Sequence, residues 1–451
     1  MRGNVSMNDM EETQACIVCK FGGTSMADSE STERVAEIVK SNPLRRIIVV
    51  SAPGKTENSE KVTDLLIECH REIEACGKCD QTFPLVAARF LQIATDTKDA
   101  ERELAKIKSQ MENSGQYDFC VSRGEYLSAY FFAKRLGFAF IDAAELIRFH
   151  RYDGYDSKES EKLCRAKLKN GYAVVPGFYG ADETGAIVTF SRGGSDITGS
   201  IVAGAIKADL YENWTDVDGI LNADPRIVEN ARIIPKMTDG ELRELSYLGA
   251  SVLHTDALVP LIKNRTPLQV RNTFCMSKRG TVIYPCLKEP EKKPVTGIVG
   301  KKDILVLFIH KIGMNQQKSI VRKVLSVLEY YGVSFEHMPS SIDAVNFLIP
   351  KSSINDAIRS AVLSEIKKSI RPDEIKFIDR LSIVSVVGRN MYQCVGVAEK
   401  MFAALAREKI NIRMIIQGCR ELNIIAGVDE DRYEDAIRAL HRAFLEEETP
   451  S

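Results

Sequence analysis

Short β-branched runs alternate with amphipathic stretches through much of this 451-residue chain, and that alternation constrains its fold more than any other feature. The runs that predict strands are Cys16–Phe21, Arg46–Ser51, Phe138–Asp142, Ala173–Pro176, Leu210–Trp214 and Pro267–Arg271. Val62–Cys76 and Gly124–Leu136, which lie between them, have the apolar spacing of helices. The series favours an α/β domain whose mostly parallel sheet is covered by helices on both faces.

A second pattern follows Lys288–Pro294, a charged, proline-bearing segment with the composition of a linker. Beyond it, the order helix, strand, strand, helix occurs twice. The first copy is predicted at Gln317–Gly332, Val333–Met338, Ala344–Ile349 and Asn355–Ile366, and the second at Val397–Lys409, Ile412–Ile416, Leu422–Gly427 and Tyr433–Phe444. Two copies are too few for a solenoid, so the sequence predicts two similar modules packed together.

The charge balance excludes several classes of function. Lys and Arg together number 61 and Asp and Glu 62, which gives a formal net charge of −1. No excess of positive charge is available to attract nucleic acid or an anionic membrane. No apolar run reaches the ~18 residues of a spanning helix, and the polar first residues do not resemble a secretory signal. We expect a cytoplasmic protein that binds neither nucleic acid nor membrane.

Eleven cysteines raise the question of a metal site. Cys16 with Cys19, and Cys76 with Cys79, have Cys-x-x-Cys spacing, but a structural zinc ion needs four converging ligands. Cys16 and Cys19 fall in a predicted strand, where residues three apart face opposite sides. We therefore favour reduced, mostly buried thiols over a metal site and expect no metal centre.

The first motif that suggests chemistry is Lys20–Ser25, which reads Lys-Phe-Gly-Gly-Thr-Ser between a predicted strand and a predicted helix at Thr32–Val39. Glycines at such a turn let backbone N–H groups approach an anion, and Lys20 adds a full positive charge. Taken alone, the motif is more often a capped turn.

A second glycine loop, Thr189–Asp196, precedes the small-residue helix predicted at Thr198–Ala208. Its Arg192 suits bidentate recognition of a carboxylate. The segment Trp214–Ile220, which continues to Asp224–Arg226, joins a strand end to an acidic turn suited to a Mg²⁺-nucleotide. Glycine loops of opposite charge at strand ends of one α/β domain favour phosphate chemistry.

Two common nucleotide-binding patterns are missing from the sequence. Gly54–Thr56 has the ending of a P-loop, but that pattern needs Gly where the chain has Val49. There is no Gly-x-Gly-x-x-Gly series, so a Rossmann dinucleotide site has no support.

Five motifs, taken in order, resemble the signature series of the aspartate kinases (aspartokinases), which belong to the amino-acid kinase superfamily. They are Lys20–Ser25, Ser122–Glu125, Ser191–Asp196, Thr215–Asp216 with Asp224–Arg226, and Gly249–His254. The C-terminal duplication is similar to the paired ACT domains of that family. The resemblance implies a three-layer αβα sandwich kinase domain followed by two α+β ACT domains. It implies transfer of the γ-phosphoryl group of ATP, taken as a substrate with Mg²⁺, to the β-carboxylate of L-aspartate. The product would be 4-phospho-L-aspartate, which enters lysine, threonine and methionine biosynthesis.

The resemblance also places domain boundaries. Residues 1–13 are expected to be an N-terminal tail, 14–288 the kinase domain and 289–302 a linker. Residues 303–451 are expected to form the tandem ACT region, with the first domain at about 312–378 and the second at 303–311 plus 379–451.

Roles for individual residues follow from the same resemblance. Lys20 and Asp196 are expected at the reacting centre, with Lys20 beside the transferring phosphoryl group. Aspartate contacts are expected from Thr63, Glu125, Arg192, Gly193 and Ser195, and nucleotide contacts from Lys20, Gly22, Gly23, Thr24, Ser25, Thr215, Asp216 and Arg226. Glu125 would bind the α-ammonium group and Arg192 the α-carboxylate. A carboxylate acceptor, with a reference pKa near ~3.9, needs no general base, so we expect His254 to be structural.

Two positions depart from the family pattern, and two other functions stay open. Ser251 and Leu221 stand where many relatives have Lys and Tyr. Arg226 or Lys236 would then have to neutralise the charge of the nucleotide phosphates. A kinase for another acidic amino acid is one alternative; Glu125 argues against an acetylated substrate, which has no ammonium group. The other is a catalytically weak amino-acid sensor, which the retained Lys20 opposes.

Paired ACT domains usually bind an amino-acid effector and join subunits, so a homodimer or homotetramer is expected. In this chain the matching region is the turn Lys311–Ser319, expected to face Ser334–Ser341. The candidate effector residues are Met314, Gln316, Gln317, Ser319, Glu336 and Ser340. The N-terminus of the helix would take the effector's α-carboxylate, and Glu336 or Ser340 an ammonium group. We expect L-lysine, with threonine as the second candidate.

Overall fold

The computed structural model describes residues 15–57, 59–150, 154–168, 171–191, 193–249, 255–287, 294–317, 319–418 and 422–446. They divide into two compact units. The first comprises Met1–Ile220, Pro235–Asp239 and Val252–Leu287, and the second Leu221–Ile234, Gly240–Ser251 and Lys288–Ser451. The expected kinase domain at 14–288 therefore differs from the first unit, because two internal segments belong to the second.

The first unit is built on an eight-stranded sheet and a smaller four-stranded one. Its strands are β1 Ile17–Phe21, β2 Arg45–Val50, β3 Ala139–Phe140, β4 Arg148–His150, β5 Gly154–Asp156, β6 Ala173–Pro176, β7 Tyr179–Ala181, β8 Ile187–Thr189, β9 Leu210–Thr215, β10 Lys236–Thr238, β11 Leu268–Asn272 and β12 Thr281–Tyr284. The large sheet has the order β10-β12-β11-β9-β1-β2-β6-β3, and the small one β5-β4-β7-β8. Every neighbouring pair in the large sheet is parallel except β11 with β12.

Helices cover both faces of the large sheet. They are α1 Ser29–Lys40, α2 Val62–Cys76, α3 Phe83–Ile93, α4 Thr97–Ser114, α5 Tyr117–Leu136, α6 Ser157–Leu168, α7 Gly194–Ala205 and α9 Val259–Asn264. The helix between the last two, α8 Asp239–Tyr247, lies mostly in the second unit. Cys19 and Phe21 of β1 pack in one core with residues of α1 and α5. Successive strand residues point to opposite faces, so Lys20 points the other way, where α7 packs on β1. The result is the expected three-layer αβα sandwich.

A buried charge cluster joins the central strands of this unit. Glu212 on β9 accepts a hydrogen bond from Arg45 Nε at 2.7 Å and another from Trp214 Nε1 at 2.9 Å. Cys19 donates its thiol to the same carboxylate at 3.3 Å. A buried carboxylate needs such partners, and these partners fix β1, β2 and β9 relative to one another.

The second unit contains a five-stranded sheet in the order β14-β13-β15-β17-β16. Its elements are α8 Asp239–Tyr247, β13 Gly297–His310, α10 Ile320–Tyr330, β14 Ala344–Pro350, α11 Asp356–Ile370, β15 Glu374–Val387, α12 Val397–Arg407, β16 Met414–Ile416, β17 Asn423–Asp429 and α13 Tyr433–Phe444. Only Asp239 of α8 belongs to the first unit. None of the helices in the described part of the chain combines the length and the apolar character that a membrane span requires.

Two long strands serve both modules of the second unit, and this corrects the expected boundaries. Residues 304–310 of β13 pair with β14, in the first module, rather than belonging to the second. Residues 297–301 pair with 383–387 of β15, so part of the expected linker at 289–302 is strand. Each half of these strands contributes to a different apolar core, one containing Leu307 and the other Ile298.

The prediction of a strand at Val333–Met338 is wrong, because the structure has no regular strand between α10 and β14. This segment runs beside β14 and bonds to it through Glu336 N to Leu348 O at 2.8 Å, but it makes only isolated bridges at His337 and Ser340. Pro339 has no N–H to donate, which interrupts a regular ladder.

Candidate functional site

Side chains from four parts of the first unit meet in a cavity of about 260 Å³. It lies where β1 and β2 end and α7 begins. Its walls are Lys20, Ser51, Thr63, Glu125, Phe178, Gly193, Gly194, Ser195 and Asp196. The carboxyl ends of parallel strands are the usual place for a ligand in an open α/β sheet. The structure thus brings together six of the residues expected at the reacting centre and around aspartate: Lys20, Thr63, Glu125, Gly193, Ser195 and Asp196.

The central contact of this cavity is an ion pair. Lys20 Nζ lies 2.7 Å from Asp196 Oδ1, and the two side chains are 10% and 20% exposed. Lys20 comes from β1, whereas Asp196 lies in the first turn of α7. The pairing holds the ammonium group at the wall of the cavity, where the phosphoryl oxygens of a nucleotide would need neutralisation.

The start of α7 forms a second wall. Gly193 precedes the helix with φ +59°, a left-handed conformation that side chains rarely adopt, and this turn places Gly194 and Ser195 against the cavity. The backbone N–H groups at a helix start favour an anion. Arg192, the expected partner of the aspartate α-carboxylate, lies outside the described residues, as do Ser251 and His254.

Glu125 supplies a buried carboxylate from α5. It is 5% exposed, and its Oε2 has no hydrogen-bond partner. Burial raises the pKa of Glu125 to about 8, although backbone N–H groups of Ala52 and Glu125 and the nearby Arg123 guanidinium act in the opposite direction. Burial of an oxygen without a partner destabilises the ionised form of this carboxyl group, and an ammonium group in the cavity would compensate for that.

The glycine loop after β1 is held by backbone contacts and by one hydroxyl pair. Gly54 N donates to Gly23 O at 2.9 Å, and a Cβ at Gly54 would lie only 2.7 Å from the Gly23 carbonyl carbon. Gly22 N donates to Trp214 O. The buried Ser25 hydroxyl lies 2.8 Å from that of Thr273, and Thr24, which is exposed, begins the short 3-10 helix Thr24–Met26.

The expected nucleotide residues divide between the two units. Thr215 ends β9 and donates to Asp216 Oδ1 at 3.2 Å, and its carbonyl accepts from Thr273 N at 2.9 Å. Thr273 therefore connects the glycine loop to the end of β9. Arg226 belongs to the second unit, where it is exposed and lies 2.7 Å from Asp224, whose pKa it lowers. Lys236 is exposed at the start of β10.

Sequence reasoning missed three residues around this site. Ser51 lines the cavity directly after β2, and its position at the end of a strand was the available signal. Phe178 lines it with φ +79°, and its N–H donates to Thr198 Oγ1 at 3.1 Å. A non-glycine residue in this conformation is strained and is found preferentially at functional sites. Thr273 had no local signal, since its contacts are with distant residues.

A larger cavity of about 960 Å³ lies elsewhere in the first unit. Asp28, Lys55, Glu57, Glu60 and Arg89 are among its walls. Arg89 donates to the carbonyls of Glu60, Ala27 and Gly54, so its guanidinium is occupied by the backbone. We assign the functional site to the smaller cavity because the Lys20–Asp196 pair and the buried Glu125 Oε2, which has no hydrogen-bond partner, are there.

Within the described ranges, no group of three or more His, Cys, Asp or Glu side chains is arranged to hold a metal ion.

In the second unit, the turn at 311–317 bonds to Asp343, which lies two residues beyond the segment Ser334–Ser341 that is expected to face it. Gly313 N donates to Asp343 Oδ1 and Lys311 N to Asp343 O, both at 2.8 Å. Met314 is buried in the core of the first module, Gln316, Gln317 and Ser340 are exposed, and Ser319 precedes α10 without capping it. The carboxylate of Glu336 is paired with Lys301, and its Oε2 has no partner. An effector's ammonium group would therefore compete with Lys301.

Family models match both parts of the chain. The amino acid kinase family matches residues 15–272, and an ACT domain matches residues 384–444. The first match covers the strands and helices that carry the cavity.

Similar proteins share these two parts. Aspartokinase 3 of Bacillus subtilis is 34% identical over 447 residues, which covers 95% of this chain and 98% of that protein. The crystal structure of Clostridium acetobutylicum aspartate kinase has a TM-score of 0.90 at 42% identity, over 95% of this chain and all (100%) of that one. The E. coli aspartokinase III complex with lysine and aspartate, described as a T-state, has a TM-score of 0.75 at 25% identity, over 96% and 100%.

Proposed function

The chain belongs to the amino acid kinase family and, within it, to the aspartokinases, and on that premise we propose that it phosphorylates L-aspartate at the expense of ATP. The reaction transfers the γ-phosphoryl group of ATP to the β-carboxylate and gives 4-phospho-L-aspartate. One observation carries the proposal: the Lys20–Asp196 ion pair and Glu125, whose Oε2 is buried without a hydrogen-bond partner, line the same cavity.

The chemistry needs little from the protein besides position and charge. The acceptor carboxylate is ionised at neutral pH, so no general base is required. What opposes the reaction is the approach of two anions, and Lys20 lies where it can offset the charge that spreads over the transferring group. The helix start at Gly194 and Ser195 adds backbone N–H groups to the same wall.

Glu125 gives the cavity its preference for an amino acid. Its Oε2 is buried without a partner, and an α-ammonium group would satisfy that oxygen. An N-acetylated acid would leave the carboxylate unpaired. This observation favours aspartate over N-acetylglutamate, and the position of Arg192 in the glycine loop makes it our proposed partner for the α-carboxylate.

Thr215, Asp216 and the glycine loop are our proposed nucleotide contacts, with Mg²⁺ entering as part of the MgATP substrate. The link from Ser25 through Thr273 to Thr215 supports this assignment, because it holds the two segments together. Arg226 is kept as a candidate phosphate contact that would first have to leave Asp224.

The test is an ATP-dependent hydroxamate assay, which traps acyl phosphates, with aspartate, glutamate and N-acetylglutamate compared side by side. We expect aspartate to be the best of the three acceptors, and N-acetylglutamate to be poorer than aspartate by at least about tenfold, the value of one lost charge-assisted hydrogen bond. A chain that folds, binds ATP and gives no hydroxamate with any of the three acids is a sensor rather than a kinase. Equal rates with N-acetylglutamate would remove Glu125 from the substrate site.

We further propose that L-lysine inhibits the enzyme by binding the ACT region, with threonine as the second candidate, and that the product feeds lysine, threonine and methionine synthesis. The lysine-bound E. coli relative supports this choice. Lysine can inhibit only by binding one arrangement of the protein more tightly than another. Calorimetry with lysine, threonine and methionine, followed by the hydroxamate assay at the same concentrations, tests it. Failure of all three to bind at millimolar concentration contradicts the proposal.

We propose that subunits join through the ACT region as a homodimer or homotetramer. Light scattering on the full chain, with and without lysine, measures the mass directly. A monomer at micromolar concentration in both conditions would contradict this.

A further inference from the structure

Asn213 is a buried amide beside the charged pair. It lies on β9 directly opposite Lys20 of β1 and is 3% exposed. Its Nδ2 lies 3.2 Å from Asp196 Oδ1, the same oxygen that Lys20 Nζ contacts at 2.7 Å. One carboxylate oxygen therefore accepts from an amide and an ammonium group on neighbouring strands.

The orientation of the amide is set by charge. Turned the other way, Asn213 would present its carbonyl oxygen to a carboxylate, which is repulsive. With Nδ2 on Asp196, the other end of the amide, Oδ1, is buried without a partner. A buried polar atom with no partner is costly and uncommon in folded proteins. An apolar residue of similar size would avoid that cost, so the amide is explained by its hydrogen bond to Asp196 rather than by packing.

We propose that Asn213 is a positioning residue for phosphoryl transfer. Its amide holds the Asp196 carboxylate in one orientation, and that carboxylate holds the Lys20 ammonium group at the reacting centre. Without the amide, the carboxylate keeps its backbone position in α7 but loses one of the two donors that fix its oxygen. The Lys20 ammonium group then occupies its position beside the transferring phosphoryl group for a smaller fraction of the time. This inference rests on the proposed kinase activity and adds a residue to it.

The inference predicts which kinetic constant changes. Asn213 is not among the residues that line the cavity, so we expect it to act through Asp196 rather than by binding a substrate. Asn213→Leu, which is close in size and has no donor, should lower kcat about tenfold, with KM for aspartate and for ATP within about twofold. Asn213→Asp, which places a carboxylate against Asp196, should lower kcat further, by on the order of 100-fold.

A double-mutant cycle separates positioning from general structural damage. If Asn213 acts through Asp196, then Asn213→Leu should change kcat less than about twofold in an Asp196→Asn background. Losses that multiply in the double variant overturn the inference. Thr266→Val is the matched control, because Thr266 Oγ1 is also buried without a partner but lines a different cavity. It should leave both kinetic constants unchanged.

The experiment measures the stability of each variant separately from its activity. Thermal unfolding is measured for every variant, and Asn213→Ala replaces Asn213→Leu if the leucine does not fold. Absence of hydroxamate formation by the unaltered chain would refute the proposed function itself. An active parent whose Asn213 variants keep full kcat would overturn only the role of Asn213.

Discussion

Lys20 Nζ and Asp196 Oδ1 lie 2.7 Å apart, although Lys20 is the next-to-last residue of the first strand and Asp196 lies in the first turn of a helix far along the chain. The pair holds a positive charge at the carboxyl end of β1, where it lines the cavity and is largely shielded from solvent. The acceptor and the transferring group are both anions, so this charge determines how easily they approach each other.

Lys20→Ala should lower kcat by on the order of 10²–10³, the usual cost of losing a preorganised charge contact, with the KM for ATP little changed. Steady-state kinetics with the hydroxamate assay measure both. Lys55→Ala is the matched control. Lys55 is exposed, and it lies in the segment Gly54–Thr56, whose sequence does not fit a P-loop. An unchanged kcat with a raised KM would assign Lys20 to binding alone.

The KM for aspartate should fall as pH rises from 6 to 8. Glu125 has a pKa raised to about 8, mainly by burial, so in the empty cavity it is largely protonated at neutral pH. Only the ionised form attracts an ammonium group, so binding improves by up to about tenfold per pH unit until Glu125 is ionised. Glu125→Gln should abolish this dependence and raise KM throughout. A KM that stays constant in the parent across this range contradicts the assignment.

The same group makes a prediction about stability. The pKa of Glu125 is raised from 4.5 unfolded to about 8 folded, so the folded chain favours the protonated form. That stabilisation is complete below pH 4.5 and is lost as pH rises to about 8. Glu125→Gln, which cannot ionise, should therefore gain thermal stability relative to the parent between pH 5 and pH 8, by ~1.4 kcal/mol per pH unit at most. If the variant and the parent differ in stability by the same amount at pH 5 and at pH 8, Glu125 does not titrate in this range.

Thr273→Val should raise the KM for ATP about fivefold and leave the KM for aspartate unchanged. It removes the hydroxyl that contacts Ser25 at 2.8 Å, and the net value of such a hydrogen bond is ~1 kcal/mol. Ser25→Ala should have the same effect, and the two together should not be additive, because they remove one contact. A change confined to the aspartate KM would move this hydroxyl pair to the other substrate.

Lys301→Met should strengthen lysine binding if Glu336 takes the effector's ammonium group. The substitution frees the Glu336 carboxylate from its present partner, so the effector no longer competes for it. Titration calorimetry measures the change, and Glu336→Gln should weaken binding in the same experiment. Lys302→Met is the control, since Lys302 pairs with Glu434 instead. Unchanged affinity in the Lys301 variant would remove Glu336 from the effector site.

The sequence by itself determined the elements whose signal is local. Helices α2 and α13 have the bounds expected from their apolar spacing, as does strand β6, because periodicity and propensity act within one element. The two glycine loops were also found from local motifs. The resemblance of the ordered motifs to the aspartate kinases, rather than any one local pattern, pointed to Lys20, Thr63, Glu125, Gly193, Ser195 and Asp196, which line the cavity.

Only the tertiary structure decided which distant residues share a site. Asn213 and Thr273 belong to no sequence motif. The order of the strands in the sheet places them beside Asp196 and Ser25. The same holds for β13, whose two halves serve different modules, and for Arg226, which pairs within the second unit. Pairing across a sheet depends on the register of segments far apart in the chain, and the local pattern of each segment carries no information about its partner.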